Sequence, residues 1–370
     1  MSLDERSARM ALCALLPMGS ADLSDLVRTD GAAQVWEALT RLGEDSAWGR
    51  KSRAVDPDRL AAATATCGAR FLIPGDAEWP RRADDLDAAR LGPQGASPLG
   101  LWVRGTTGLD ELEGAVAVVG ARASTAYGNH MAAELAADLA LLGRVVVSGL
   151  AHGIDGAAHR GALGVRRPTV AFVAGGVDTP YPTSHARLMD AIIDNGAVVS
   201  EAPPRSRPLK ASFLARNRII AAVSDGVVVV EAAARSGARN TAAWAQGLGR
   251  PVMAVPGPVT SAMSATPNRL IRDAEAVLVT SADDIAAQLS PLQPELELPL
   301  RGADQPLDRL APHLRALREV FGPRQALGIP ELAGLTGLSV PECLAGVDEL
   351  VELGWLEEAG PTTWRLPGRR

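Results

Sequence analysis

The fold is decided by AVAVVGARASTAYG (115–128), VVVSGLAHGIDGAAHRGAL (145–163), AFVAGGVDTPYP (171–182), SFLARNRII (212–220), VVVVEAAARSGARNTA (227–242) and VMAVPG (252–257). Short, β-branched apolar runs alternate with alanine-rich helical runs, and a glycine-bearing turn follows most of the strands. Strands are expected at 115–119, 144–148, 168–174, 197–200, 226–231, 251–255 and 276–279. Helices are expected at 127–142, 154–164, 184–195, 214–223, 239–248, 267–273 and 282–289. Seven strands alternating with helices predict an α/β fold: a doubly wound, mostly parallel sheet complete without its flanks. Ligands of such sheets bind beyond the strand C-termini, where helix N-termini present free N–H groups and a positive dipole end. The loops after Val119, Val147, Val173 and Val230 therefore locate the expected site, and a phosphate-bearing ligand is the expected occupant.

Working outward, the 370 residues allow two or three domains. Apolar content of 47% is that of a globular chain, and no apolar run approaches the roughly 20 residues needed to span a bilayer. The charged start MSLDERSARM has no signal-peptide core, so a cytoplasmic protein with no membrane partner is expected. Cys13, Cys67 and Cys343 are far apart, and the five histidines (His130, His152, His159, His185, His313) lack ligand spacing, so neither metal nor cofactor is expected. Net charge is −6, yet residues 115–289 carry 16 Lys+Arg against 13 Asp+Glu. The run 205–218 holds Arg205, Arg207, Lys210, Arg216 and Arg218 with no acid.

Residues 1–68 read as a small helical domain, SAM-like, whose helix–turn repeats resemble small nucleic-acid modules; its nearly balanced charge gives no basic face, so a packing or interaction role is expected instead. A connector follows with strands RFLIP and LGLWVRG and a packed corner at Trp79 and Pro80, leading into the sheet domain, 69–289. Residues 290–306 are a proline-rich linker. Residues 307–370 show helix, helix, turn, helix and hairpin, the spacing of a winged-helix domain. Its third helix, 340–353, offers Glu342, Asp348, Glu349 and Glu352 and no cation, which suits a protein-contact or structural role better than a DNA-reading one.

In the first loop, Gly120 permits a tight exit from the strand, Ser124 is placed to cap the next helix, and Arg122 could hold a phosphate. No second glycine or downstream acid completes a dinucleotide fingerprint. In the second loop, Gly149 and Gly153 allow close approach of a ligand or of a packing helix, and Asp155 reads as a helix cap. His152 and His159 have no nucleophile beside them. The third loop, Gly175 to Pro182, offers Tyr181 as a stacking ring. Lys210, Phe213, Arg216, Asn217 and Arg218 bring a ring and cations together at a helix start, a mixture suited to single-stranded nucleic acid. Either Arg216 or Arg218 could instead pair with Glu231. Ser236, Gly237 and Thr241 put hydroxyls and a glycine at another helix N-terminus.

Singly these loops say little, but their order and spacing are specific. GARASTAYG, SGLAHGIDGAAHRGAL, GGVDTPYP, SEAPP, FLARNRIIAAVS, VVEA-x₃-SG-x₃-TA and GRPVMAVPG together resemble the DNA-processing protein A (DprA/Smf) family over roughly residues 70–285. That resemblance implies a Rossmann-like sheet, single-stranded DNA as ligand, no catalysis, a homodimer, and RecA recombinase as the partner loaded onto incoming strands during natural transformation. It also implies that Arg122 and Lys210 contact phosphates, and that Gly120, Ser124, Gly149, Gly153 and Arg216-Asn217-Arg218 build the groove. SGARNTA at 236–242 stands where the family more often carries an aliphatic-centred SGSLITA. Two other functions compete. A nucleotide-processing phosphoribohydrolase would use Glu231 near a ribose, against which the PGGxGTxxE signature is absent. A protein-interaction scaffold without a working groove would suit the overall acidity.

Overall fold

The computed structural model describes residues 3–15, 17–89, 91–234, 236–289, 306–323 and 325–367. It divides into two compact units, Met1–Gln293 and Pro294–Arg370.

The first unit begins with five helices: α1 (Glu5–Cys13), α2 (Ala21–Asp30), α3 (Ala32–Arg41), α4 (Ala47–Arg53) and α5 (Pro57–Thr66). Asp4, Ser20, Ser46 and Asp56 cap α1, α2, α4 and α5 through their side chains, the residue types expected to satisfy free N–H groups there. The helices enclose a small core of their own that includes Leu12, Leu23, Val35 and Trp36. They also dock on the sheet. Trp102 Nε1 donates to Thr64 Oγ1 at 2.9 Å, and Arg6 Nη1 donates to the Phe71 carbonyl at 2.7 Å and to Asp76 Oδ2 at 2.8 Å. The expected boundary at residue 68 is thus a change of structure inside one compact unit.

The sheet contains β1 (Arg70–Leu72), β2 (Leu101–Gly105), β3 (Val116–Val119), β4 (Val146–Ser148), β5 (Thr169–Phe172), β6 (Ala197–Ser200), β7 (Gly226–Val229), β8 (Val252–Ala254) and β9 (Val277–Leu278). The short α6 (Asp85–Ala89) lies between β1 and β2, and the corner is as expected: Trp79 is buried and its Nε1 donates to Asp84 Oδ1 at 2.9 Å. The connections are α7 (Ala126–Leu141), α8 (Ile154–Gly164), α9 (Ala186–Asn195), α10 (Lys210–Val223), α11 (Gly237–Gly247), α12 (Ala265–Arg272) and α13 (Ala282–Leu289). Strand order is β1-β2-β6-β5-β4-β3-β7-β8-β9. β1–β2 and β2–β6 are antiparallel and all other pairs parallel, so each of the seven expected strands is present in a doubly wound sheet.

Alternation along β3 shows why the strands read as continuous apolar runs. Ala117 and Val119 belong to the core under α10, α11 and α12, while Val116 and Val118 belong to the core under α7, α8 and α13. A parallel strand covered on both faces needs apolar residues at every position.

The second unit holds α14 (Pro312–Glu319), β10 (Ala326–Gly328), α15 (Ile329–Thr336), α16 (Val340–Glu352), β11 (Glu357–Gly360) and β12 (Thr363–Arg365). Its sheet order is β10-β12-β11, around a core that includes Leu314, Leu317, Leu332 and Val347. This order agrees with the winged-helix expectation, with β10 as an additional strand. Glu342 is used locally: Ser339 N donates to its Oε2 at 2.8 Å in a capping box on α16. Of the linker expected at 290–306, all but its last residue lies outside the described residues.

Candidate nucleic-acid interface

After β3 the chain runs outward through β4, β5 and β6, then returns across the sheet to place β7 on the other side of β3. The two connections leave β3 and β7 in opposite directions, opening a crevice above their C-termini. A cleft of about 650 Å³ occupies that position. Gly120 and Arg122 reach it from the loop after β3, Lys210, Phe213, Arg216 and Asn217 from α10, and Ser236, Gly237 and Thr241 from the start of α11. Nine of the thirteen residues expected at the site line this one cleft.

Three helix N-terminal turns contribute to its walls: Asp155 from α8, Lys210 from α10, and Gly237 and Ala238 from α11. Their dipoles favour an anion. Arg122 and Lys210 are both exposed at the rim. The Arg122 guanidinium lies over the Phe213 ring, 4.5 Å from its centroid, and the Tyr181 ring is tilted against Phe213 at 5.4 Å. Cation, ring and second ring therefore form one connected rim from three separate segments.

Arg216 forms the buried floor. Its Nη1 donates to the Phe172 carbonyl at 2.7 Å, and its Nε has no partner among the described residues. Burial lowers its pKa to about 10, partly offset by Asp155, so it stays cationic at neutral pH. Burial in turn raises Asp155, and Arg216 opposes that shift.

Several expectations need correction. Arg218 does not face the cleft. It is fully buried and donates from Nη2 to Glu201 Oε1 at 2.8 Å, from Nε to the Ala96 carbonyl at 2.8 Å and from Nη1 to the Ala215 carbonyl at 2.9 Å. The reason is helical geometry: residues two apart sit on different faces, so Arg216 and Arg218 could not both point inward. Neither pairs with Glu231, whose Oε2 accepts from Thr125 N at 2.8 Å and Oε1 from Thr125 Oγ1 at 2.6 Å. Thr125, not Ser124, caps α7; Ser124 instead donates to Asn129 Oδ1 at 2.7 Å and is not part of the cleft lining. Gly149 and Gly153 also lie outside the lining and support it from behind. A Cβ on Gly149 would overlap the Arg216 guanidinium, and Gly153 holds φ +74° against the Ala121 carbonyl. Gly153 is the N-cap of α8, and Asp155 follows within its first turn, accepting from Ala151 N at 3.4 Å.

Tyr181, a stacking-ring candidate outside the thirteen expected site residues, also lines the cleft. Met263 and Pro208 also line the cleft and carried no local signal, because only the fold brings their loops there. Asn240, at the family's aliphatic position, accepts from Asn217 Nδ2 at 3.3 Å. His159 is buried with Nδ1 2.8 Å from Thr169 Oγ1, and burial pulls its pKa down to about 3. His152 packs edge-on against His185, ring centroids 4.8 Å apart.

The fold and site thus define a Rossmann-like protein whose switch-point cleft is lined by guanidinium, ammonium and aromatic groups, with the buried Glu231 beside it already bonded to a loop. Its family follows from comparison: the model for DNA recombination-mediator protein A matches residues 70–290, and the chain belongs to that family. A Mycobacterium tuberculosis relative named as putative DNA processing protein DprA is 48% identical over 305 residues, covering 81% of this chain and 77% of that one. The X-ray structure of DNA processing protein A from Streptococcus pneumoniae superposes with a TM-score of 0.65 at 29% identity, covering 78% of this chain and 98% of that one. A Helicobacter pylori DNA processing protein A structure, described for its single-stranded DNA binding mode, gives 0.51 at 30% identity, covering 60% and 95%. Among the described residues no helix is long and apolar enough to cross a membrane.

Proposed function

We propose that the switch-point cleft binds single-stranded DNA and that the protein acts without catalysis as a recombination mediator. Arg122 and Lys210 hold phosphates at the rim, Arg216 supplies buried positive charge beneath, and unpaired bases lie against Phe213 and Tyr181. The observation that carries this reading is the Arg122–Phe213–Tyr181 rim, 4.5 Å and 5.4 Å between successive groups, beside the α10 N-terminus. Stacking needs bases whose faces are free, which a duplex does not offer. The competing hydrolase would need a free acid at Glu231, and both oxygens of that group are engaged.

Membership of the family supports two further steps in the proposal: the protein pairs as a homodimer, and it helps RecA recombinase onto protected incoming strands during natural transformation. The test is titration of a fluorescent oligo-dT against the matching duplex at several salt concentrations. Binding should favour the single strand and weaken steeply with salt as counterions are released. The Arg122→Ala, Lys210→Ala double variant should bind about 100-fold more weakly, with each charge-assisted hydrogen bond contributing about 1.5 kcal/mol. Unchanged affinity would remove the cleft from the reading. RecA-driven strand exchange with and without the protein tests the mediator step.

A further inference from the structure

We propose that a strand held in the switch-point cleft continues over α10's leading edge into a second, basic groove formed with the N-terminal helices. The proposal rests on the cleft binding single-stranded DNA. The groove, of about 490 Å³, lies between α5 with the loop before it and the segment 203–212. Arg59 lines it from α5, and Arg205 and Arg207 line it from the segment. All three are exposed, and none has a carboxylate partner among the described residues. Among the described residues the one acid of the lining, Asp56, is engaged as the α5 cap, its Oδ1 accepting from Asp58 N at 3.1 Å and Arg59 N at 3.2 Å.

Two observations join this groove to the cleft. Pro208 and Lys210 line the cleft, whereas Arg207 and Leu209 line the groove. Leu209 is extended (φ −98°, ψ 158°), and an extended chain sends alternate side chains to opposite sides. The wall between the two sites is therefore a single stretch of backbone with a cation on either flank. That wall is also pinned in place. Arg205 adopts φ +65°, a conformation few non-glycine residues take. Its N–H donates to Asp178 Oδ1 at 2.7 Å, and Gly176 N donates to the Ser206 carbonyl at 2.9 Å. Strain of this kind persists where surrounding structure enforces it, and here it fixes the backbone between two arginines facing one groove. Leu209, 52% exposed, adds an apolar surface against which a base can lie. Unpaired guanidinium groups following an apolar ridge match a polynucleotide backbone with bases to one side.

The test compares the full chain with an Arg59→Glu, Arg207→Glu variant, and with the gentler Arg59→Gln, Arg207→Gln form in case charge reversal disturbs folding. Each is titrated with oligo-dT of about 6 and about 20 nucleotides, lengths chosen to fill one site or to extend past it. Both variants should bind the short oligo as the unaltered protein does. They should bind the long one roughly tenfold more weakly, with a salt slope flatter by about 0.7 for each phosphate no longer neutralised. Unaltered affinity for the long oligo in both variants overturns the groove while leaving the cleft reading intact. Undiminished short-oligo binding by the Arg122→Ala, Lys210→Ala variant would remove the cleft reading, and with it the continuous path.

Discussion

The switch-point cleft and the third helix of the C-terminal unit are both places where a nucleic-acid module is expected to present its side chains. They differ in what was put there. The cleft joins a buried arginine, two rim cations and two rings within one cavity. Helix α16 offers acids, and Glu342 is turned back to cap its own helix. A winged-helix order of elements therefore says little about DNA without cations on the reading helix, while a Rossmann-like sheet becomes a candidate binder through what its loops carry.

The difference between the two regions is tested most severely at Arg216. This is the charge that the cleft cannot lose cheaply, because removing it leaves Asp155 buried without its main cationic neighbour. Arg216→Met should cost about 3 kcal/mol of stability in thermal or denaturant unfolding, with single-strand binding reduced as well. Glu349→Gln on α16 should alter neither; a loss below about 0.5 kcal/mol at Arg216 would erase the distinction.

A smaller effect is expected at the rim. Phe213→Ala removes the ring shared by Arg122 and Tyr181 and should weaken oligo-dT binding about tenfold, within the roughly 1–3 kcal/mol of a stacked base. The fold should persist, since the side chain is only partly buried.

Acidity acts where α8 packs on β5. His159 is held neutral by burial, with its folded pKa lowered to about 3 from 6.5. The unfolded chain then binds the extra proton between those values, so its contribution to stability is complete above pH 6.5 and lost as pH falls toward about 3. Unfolding midpoints measured from pH 7 down to 4 should decline, and His159→Gln should flatten that decline. The least change is expected from removing the second unit after Gln293: oligo-dT affinity should shift by less than about twofold, because α16 offers acids and no cation to a phosphate backbone. A tenfold loss would return α16 to the binding surface.

Much of this was legible because it is periodic or local. Strands β3 to β8 follow from apolar runs covered on both faces, the edge strand β9 being exposed, and the helices between them follow from alanine-rich runs. The Arg216/Arg218 assignment failed at a point where the same periodicity was available: a helical turn of 3.6 residues already separates the two side chains. Ser124 against Thr125 as the cap of α7 is a shift of one position, and helix boundaries in sequence seldom resolve that. Tyr181 could be noticed as a ring yet not located, since its neighbour Phe213 lies 32 residues on in the chain and meets it only across the cleft.

The amino-acid order by itself determined the alternating architecture, the family, and which loops end at the C-terminal edge of the parallel strands, because those properties rest on spacing along one strand or helix. Only the tertiary structure decided which cations are buried, which acid is already bonded, and that Arg207 and Lys210 flank one wall between the cleft and the neighbouring groove. Burial and partnership are properties of neighbours distant in the chain, and no local pattern encodes them.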